Sequence, residues 1–596
     1  MIRDEVVRGM GWQGWFAVGV IVAVLLLLAS ERLRAELAVL GGMVALLTAG
    51  VLSPEQALAG FSNPGMITVA AMYVVAAGLR ETGAIDLASR GWLGNGGGIG
   101  RAQLKIMLPT AGLSAFINNT PVVATFLPVV SGWARRNGVS ASRLLMPLSY
   151  AAIVGGMCTL VGTSTNLVVN GKWVAEGGRG LGFFELAWVG VPAAVLCILY
   201  MMTIGRRLLP ERGSSEGLFD NPREYTVEMD VTGDGPLVGQ TIGQAGLRHL
   251  GKVFLVEIVR DGSVLPAVST EERLQAEDRL VFAGDVSSVL DLQRIKGLRP
   301  VREADAAIAQ QFPERKLVEV VLSARCPLIG QTLRDSRFHT YYGASVVAMA
   351  REGKRLRGGL GEVRLRPADT LLLEARPAWV DRHRYSPDFL LISQHQEDPP
   401  RYERALSAWC VLAAIVASAT TGMLDMLTAA LLGAGAMIAT GCVSVAGARK
   451  SVDLQVLLVI AGSFALGEAL SATGASAVIA SSALAMAGDR PWVLLALTYA
   501  ITSLMTELIT NNAAALLMFP IAVAAATGLG LALEPFVVTV MLAASASFAS
   551  PLGYQTNLMV SGPGSYRFLD FTRVGLPLNV LIGVLTVTLV PRIWPF

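Results

Sequence analysis

Charge is scarce in this chain. Only 16% of its 596 residues are Asp, Glu, Lys or Arg, and the net charge is +3. That balance leaves no basic footprint for nucleic acid. Cysteine is scarcer: the five (Cys158, Cys197, Cys326, Cys410, Cys442) are scattered and show no CxxC spacing. Disulfide scaffolds and zinc sites are therefore unsupported. All four histidines (His249, His339, His383, His395) lie in the polar middle of the chain, which excludes a histidine proton relay in a membrane. No nucleophile–base pair or metal-ligand cluster supports an enzyme. No GxGxxG follows a strand in the middle region, so a dinucleotide-binding domain is not expected. Gly94-Asn95-Gly96-Gly97-Gly98 lacks the Lys-Ser/Thr of a phosphate loop and reads as a connection.

What is abundant is apolar: 53% of residues, with a mean hydropathy of +0.54. Runs such as Trp15 to Ala29, Leu37 to Leu52 and Leu186 to Ile204 are long enough to span a bilayer. The first run has no A-x-A site and another span follows at once, so it reads as a span, not a cleaved signal peptide. The chain is expected to be a polytopic α-helical membrane protein.

Two motifs occur twice. INNTPVVATFLP (Ile117 to Pro128) precedes GTSTNLVVNG (Gly162 to Gly171), and ITNNAAALLMFP (Ile509 to Pro520) precedes GYQTNLMVSG (Gly553 to Gly562). TGA also recurs (Thr82 to Ala84, Thr473 to Ala475), and an offset of 391 or 392 aligns all three motifs. Each half reads as five crossings plus a re-entrant hairpin: about 14–30, 34–53, 65–82, 142–171 and 183–205 with hairpin 103–133, then 405–421, 424–442, 453–471, 531–561 and 573–593 with hairpin 495–525. Five is odd, so the repeats are expected to be inverted. With the middle region in the cytoplasm, seventeen Lys/Arg lie inside and six outside, which places both termini outside. Polar clusters at corresponding places in inverted halves point to a transporter's binding site, where broken helices expose amides and carbonyls.

The middle is charged and β-branched, and it also repeats. PLVGQTIGQAGL (Pro236 to Leu247) resembles PLIGQTLRDSRF (Pro327 to Phe338), and AEDRLVFAG (Ala276 to Gly284) resembles PADTLLLEA (Pro367 to Ala375), both at offset 91. Each unit reads as strand, Gly turn, short helix and strand hairpin. The hairpin turns fall at Asp261-Gly262 and Gly353-Lys354, and Leu298 to Arg315 reads as a helical linker. The expected domains are 1–205, 206–300, 301–404 and 405–596.

On the hairpin tips and broken-helix motifs, with MTELITNN (Met505 to Asn512) the closest local match, the chain resembles the divalent anion:sodium symporter family. The resemblance covers about 30–205 and 405–595. The L-[VI]-G-Q-T turns resemble TrkA-C regulatory domains, inserted in family members similar to sulfate permeases. The resemblance implies a secondary active symporter working by alternating access in the inner membrane, with Na⁺ as coupling ion and a homodimeric state. One Na⁺ would sit between Asn118, Asn119 and the break from Gly162 to Asn166. Its mate would sit between Thr510, Asn511 and the break from Gly553 to Asn557. The anion would touch Asn119, Thr120, Asn511, Asn512 and Thr163. Asn118-Asn119-Thr120 and Thr510-Asn511-Asn512 replace the family's Ser-Asn-Thr tips, which favours sulfate over a di- or tricarboxylate.

No Lys or Arg occurs in the four motif segments, so bound cations are the natural source of compensating charge. The plainer reading is that intramembrane Asn and Thr only bond neighbouring helices. Glu507, whose counterpart is Ala115, serves either to bond the hairpin backbone or in coupling. The middle units are either sensors of a small-molecule ligand or a dimerising or stabilising platform. An ion channel gated by them is the alternative of another class.

Overall fold

The computed structural model describes residues 10–29, 33–89, 98–211, 226–247, 253–260, 263–266, 271–284, 295–300, 316–323, 325–351, 354–356, 360–375, 379, 382–383, 386, 388–393, 402–488, 490–551 and 553–596. The chain forms two compact units. One comprises Met1–Glu211, Asp398–Val560 and Tyr566–Phe596; the other comprises Arg212–Glu397 and Ser561–Ser565.

The first unit is helical. Among the described residues, seven helices are long and apolar enough to cross a membrane, including Leu454–Ala472, Pro491–Leu508, Asn511–Gly528 and Phe568–Ile593. The first half runs Trp12–Ala29, Ala35–Thr48, Pro54–Leu58, Pro64–Glu81, Ala84–Ser89, Ile99–Ser114, Asn119–Arg136, Leu145–Gly156, Ser164–Ala175 and Ala187–Tyr200. The second runs Ala405–Thr421, Met426–Ala439, Val445–Ser451, Leu454–Ala472, Ala475–Ala487, Pro491–Leu508, Asn511–Gly528, Glu534–Ser545, Gln555–Ser561 and Phe568–Ile593.

Local chemistry sets the ends of these helices. Proline opens three of them at Pro54, Pro64 and Pro491, where a missing N–H costs no hydrogen bond. Asn63, Asp425 and Ser444 cap with their side chains, accepting from Gly65 N, Thr428 N and Gly447 N. The TGA motif is a helix stop in both halves. Thr82 Oγ1 donates to Gly78 O at 2.8 Å and Thr473 Oγ1 to Ala469 O at 2.6 Å.

The crossings expected at 142–171 and 531–561 are each two helices with an irregular break between them, as the broken-helix reading expected. Several boundaries differ from the sequence reading. The hairpin arms extend past 103–133 and 495–525, to 99–136 and 491–528. Apolarity marks burial, whereas helical hydrogen bonds run on through flanking residues such as Arg101 and Arg135. Arg449-Lys450 belong to the helix Val445–Ser451, and Asp453 caps the next helix through Val456 N at 3.2 Å.

The two halves interlock. Pro64–Glu81 packs on Met426–Ala439 of the other half, and Leu454–Ala472 packs on Ala35–Thr48. One apolar core joins Val39, Met43 and Leu46 to Leu466, Ala469, Leu470 and Ala513. Lys172 is only 7% exposed. It pairs with Glu468 at 2.9 Å across the halves and with Glu176 at 3.0 Å.

The second unit holds two five-stranded antiparallel sheets. The first has the order Ser263–Pro266, Val253–Arg260, Arg279–Gly284, Thr226–Val231, Leu298–Pro300. The second has the order Phe389–Ser393, Lys316–Leu322, Thr370–Ala375, Ser345–Arg351, Lys354–Arg355. Leu298–Pro300, expected to be helical, is thus an edge strand, because it pairs with Met229 to Val231. The rest of that linker, Asp261-Gly262 and Gly353 lie outside the described residues, whereas Lys354, expected in a turn, opens the edge strand Lys354–Arg355. Gly239 and Gly330 of the repeated turn have φ of +82° and +84°, a region that favours glycine.

The repeated acidic residue has a structural task. Asp278 and Asp369 are fully buried. Each takes a two-pronged bond from an arginine of the neighbouring strand: Arg260 Nε and Nη2 at 2.8 Å, Arg351 Nε and Nη2 at 2.7 and 2.8 Å. Hydrogen bonding to Asp278 holds the Arg260 guanidinium above its already high range.

Candidate functional site

The two helix breaks have the same internal bonding. Asn166 Nδ2 donates to Gly156 O at 3.3 Å and Thr159 O at 2.9 Å, ten and seven residues earlier. Asn557 Nδ2 donates to Ser547 O and Ser550 O, both at 3.1 Å, at the same separations. Each Asn thus satisfies carbonyls released where the helix stops. Thr159 Oγ1 accepts from Gly162 N at 3.2 Å and donates to Ala115 O. Ser550 Oγ accepts from Gly553 N at 3.0 Å and donates to Glu507 O at 3.1 Å. A Cβ on Gly162 would lie 2.9 Å from Ser114 O, and one on Gly553 would lie 2.6 Å from Thr506 O. Only glycine lets break and hairpin approach this closely.

The hairpin tips are helix starts. Asn119 and Asn511 are the first residues of their helices, after extended Asn118 (ψ 141°) and Thr510 (ψ 145°). The tips also bond crosswise. Asn119 Nδ2 donates to Tyr554 Oη at 2.7 Å, and Thr163 Oγ1 lies 3.0 Å from the same hydroxyl. Thr120 Oγ1 donates to Gln555 Oε1 at 3.2 Å. In the other direction Ser164 Oγ and Thr165 Oγ1 donate to Asn512 Oδ1, each at 3.2 Å. Asn511 Oδ1 accepts from Asn512 N at 2.9 Å. Ser149 Oγ joins the first half to the second break through Asn557 Oδ1 at 2.7 Å.

The structure therefore brings Asn119, Thr120 and Thr163 together around the second break, and Asn512 against the first. Gly162 and Gly553 stand in the breaks, whereas Asn166 and Asn557, expected in the breaks, lie in the first turn of the helices that follow, because the helices resume at Ser164 and Gln555. Asn118 is half-buried and Thr510 is exposed, so Thr510 is the least enclosed of the eight residues expected to ligate cations. Sequence reasoning missed Ser114, Ser149, Ser164, Thr165, Tyr554 and Gln555. Four of these six lie inside the motifs, between the Gly and the Asn, and that position was the available signal.

Glu507 spans three elements. Its carboxylate accepts from Ala549 N at 3.0 Å and Ser547 Oγ at 3.2 Å, both in the second break. Asn579 Nδ2 of the last helix donates to it at 2.7 Å. Three donors satisfy the carboxylate without a basic partner. The backbone group that the carboxylate bonds thus belongs to the second break, not to the hairpin that the sequence reading named.

The surroundings suit a hard cation. Ser114 O and Gly156 O crowd Gly162, while Asn119 Oδ1 and Gly162 O crowd Gly156. Asn166 Oδ1 is buried without a hydrogen-bond donor, as are the Thr506 and Ser545 hydroxyls near the second break. Buried oxygens with nothing to accept from favour an added cation over a closed hydrogen-bond network. Among the described residues, no group of three His, Cys, Asp or Glu could hold a metal ion. The oxygens of the breaks are neutral, the type that binds alkali ions in unwound transporter helices.

Comparison with known proteins agrees with this architecture. The family described as citrate transporter matches residues 25–543. A putative sulfur deprivation response regulator of Chlamydomonas reinhardtii is 36% identical over 93% of this chain and 97% of its own length. An uncharacterized transporter of Synechocystis is 34% identical over 97% of this chain and 96% of its own length. A probable sodium/sulfate cotransporter 3 of Chlamydomonas reinhardtii is 26% identical over 96% and 88%. With its apolar helices and its broken-helix site, the chain belongs to the citrate transporter family, among the divalent anion:sodium symporters, and is a multi-pass membrane transporter, not an enzyme.

Proposed function

We propose that this protein is a Na⁺-coupled symporter that imports a small dianion, sulfate first, by alternating access of two inverted halves. One observation carries the reading. Two helix breaks with the same bonding each meet a hairpin tip, and they gather oxygens and amides with no Lys or Arg in the motif segments. Neutral oxygens around Asn119, Gly162 and Asn166 hold one Na⁺. Those around Asn511, Gly553 and Asn557 hold the other, with Asn118 and Thr510 at the entrances. The anion lies between the tips. Asn511 and Asn512 have committed Oδ1 as acceptors and Asn511 also bonds Tyr554, which leaves the Asn512 amide N–H groups and the second of Asn511 as donors for it. The starts of the helices at Asn119 and Asn511 add partial positive charge.

Energetics favour cation coupling. Importing two negative charges against 100 mV costs about 4.6 kcal/mol, twice the single-charge value. Two Na⁺ moving with the dianion cancel that term. The probable sodium/sulfate cotransporter among the relatives supports the sulfate assignment. The family's citrate description supports a di- or tricarboxylate as the second reading. The middle unit is read as cytoplasmic, TrkA-C-like and regulatory, in a homodimer with both termini outside. Uptake of labelled sulfate by proteoliposomes, with sodium or choline outside, tests the proposal. Equal uptake in both buffers would overturn sodium coupling.

A further inference from the structure

Resting on that reading, we infer that Tyr554 sets the size limit for the anion and carries the first tip's contact to it. The two breaks share their backbone bonding but not their side chains. Tyr554 and Gln555 stand where the first half has Thr163 and Ser164. Tyr554 and Gln555 bond the first tip at Asn119 and Thr120, Ser164 and Thr165 bond the second tip at Asn512, and Tyr554 also bonds Asn511. Tyr554 is 7% exposed, and its hydroxyl reaches both Asn119 Nδ2 and Thr163 Oγ1.

A count of hydrogens assigns its role. Asn119 is fully buried, its Oδ1 accepts from Ser114 Oγ at 2.5 Å, and its Nδ2 points to Tyr554. The Tyr554 and Thr163 hydroxyls carry two hydrogens between them. Their mutual bond uses one, and Asn119 and Asn511 fill acceptor positions on the Tyr554 oxygen. One O–H hydrogen is left for an acceptor, and an oxyanion is an acceptor only. Asn119 thus acts on the anion through this hydroxyl pair, a positioning role. Tyr554 stands at the place that the smaller Thr163 holds in the other half, so its ring takes space from the anion site. A compact tetrahedral dianion fits the remaining space better than a four-carbon dicarboxylate.

The test uses full-length protein in proteoliposomes under a sodium gradient, with labelled sulfate and labelled succinate. Tyr554→Phe keeps the ring and removes the hydroxyl. Its KM for sulfate should rise about tenfold, the equivalent of one net hydrogen bond of about 1.4 kcal/mol, with the sulfate-to-succinate ratio unchanged. Thr163→Val should raise KM similarly without opening space. Tyr554→Thr should shift the ratio towards succinate by about tenfold or more. Should that variant fail to elute as a monodisperse peak, Tyr554→Leu replaces it with the same expected direction. Wild-type KM in both hydroxyl variants, or an unmoved ratio in the opened variant, overturns the inference while leaving the symporter reading intact. Wild-type protein that takes up neither anion under the gradient sinks the symporter reading and this inference together.

Discussion

Asn166 and Asn557 do the same job with one difference. Both pin two carbonyls of a broken helix, but Asn557 Oδ1 receives Ser149 while Asn166 Oδ1 receives no donor. The first break is therefore the better candidate for a tightly held cation. Asn166→Ala removes a cation ligand and the donor for Gly156 O and Thr159 O together. Each abandoned buried carbonyl costs about 1–3 kcal/mol, so a lower melting temperature and lost uptake are expected. Asn119→Ala and Asn511→Ala should abolish uptake with less effect on folding, and wild-type rates in either would remove them from the site. Glu507→Ala leaves Ala549 N, Ser547 and Asn579 without their acceptor. It should destabilise by about 2–4 kcal/mol, given about 1.5–3 kcal/mol for a bond to a charged group. Glu507→Gln, which still offers one oxygen, should lie between. Thermal unfolding of the purified variants in detergent checks the order.

At the scale of elements, the repeated motifs divide into two kinds. The TGA pair ends helices through Thr82 and Thr473, whereas the Asn pairs build breaks and tips. Thr82→Val and Thr473→Val should cost no more than about 1 kcal/mol each, the scale of one net hydrogen bond, and uptake should persist. Loss of uptake in both would move that motif into the site. All three repeats were legible in the sequence because duplication is visible without structure. The hairpin ends were less legible: the first hairpin, 99–136, runs on into Arg101, Arg135 and Arg136, which a hydrophobicity reading trims, and the second, 491–528, into Pro491 and Gly528, which it reads as breakers. The crosswise partners were not legible at all. Asn119 meets Tyr554 across 435 positions, and spacing within one half carries no information about contacts between halves. The insert shows the same limit: its repeated Asp reads as a motif, but only the strands reveal the arginine that each one neutralises. Asp278→Ala should cost about 3–5 kcal/mol, the penalty for stranding a buried partner, and should lower the melting temperature of the intact protein.

At the scale of the molecule, the helical unit contains both breaks and both tips, and the sheets form a unit of their own. Replacing residues 212–398 with a short flexible linker should leave the helical unit folded and uptake present, with regulation or dimer stability altered. An unfolded product would make the insert a structural requirement. The central claim is that neutral oxygens at two helix breaks bind Na⁺ so that a small dianion can follow. Its most direct measurement is labelled-sulfate uptake into proteoliposomes at fixed pH, with the sodium gradient imposed or removed and with excess succinate or thiosulfate added. The account expects uptake only with the gradient, strong competition by thiosulfate and weak competition by succinate. Uptake indifferent to sodium would contradict the coupling, and robust succinate uptake without sulfate uptake would make the protein a dicarboxylate carrier.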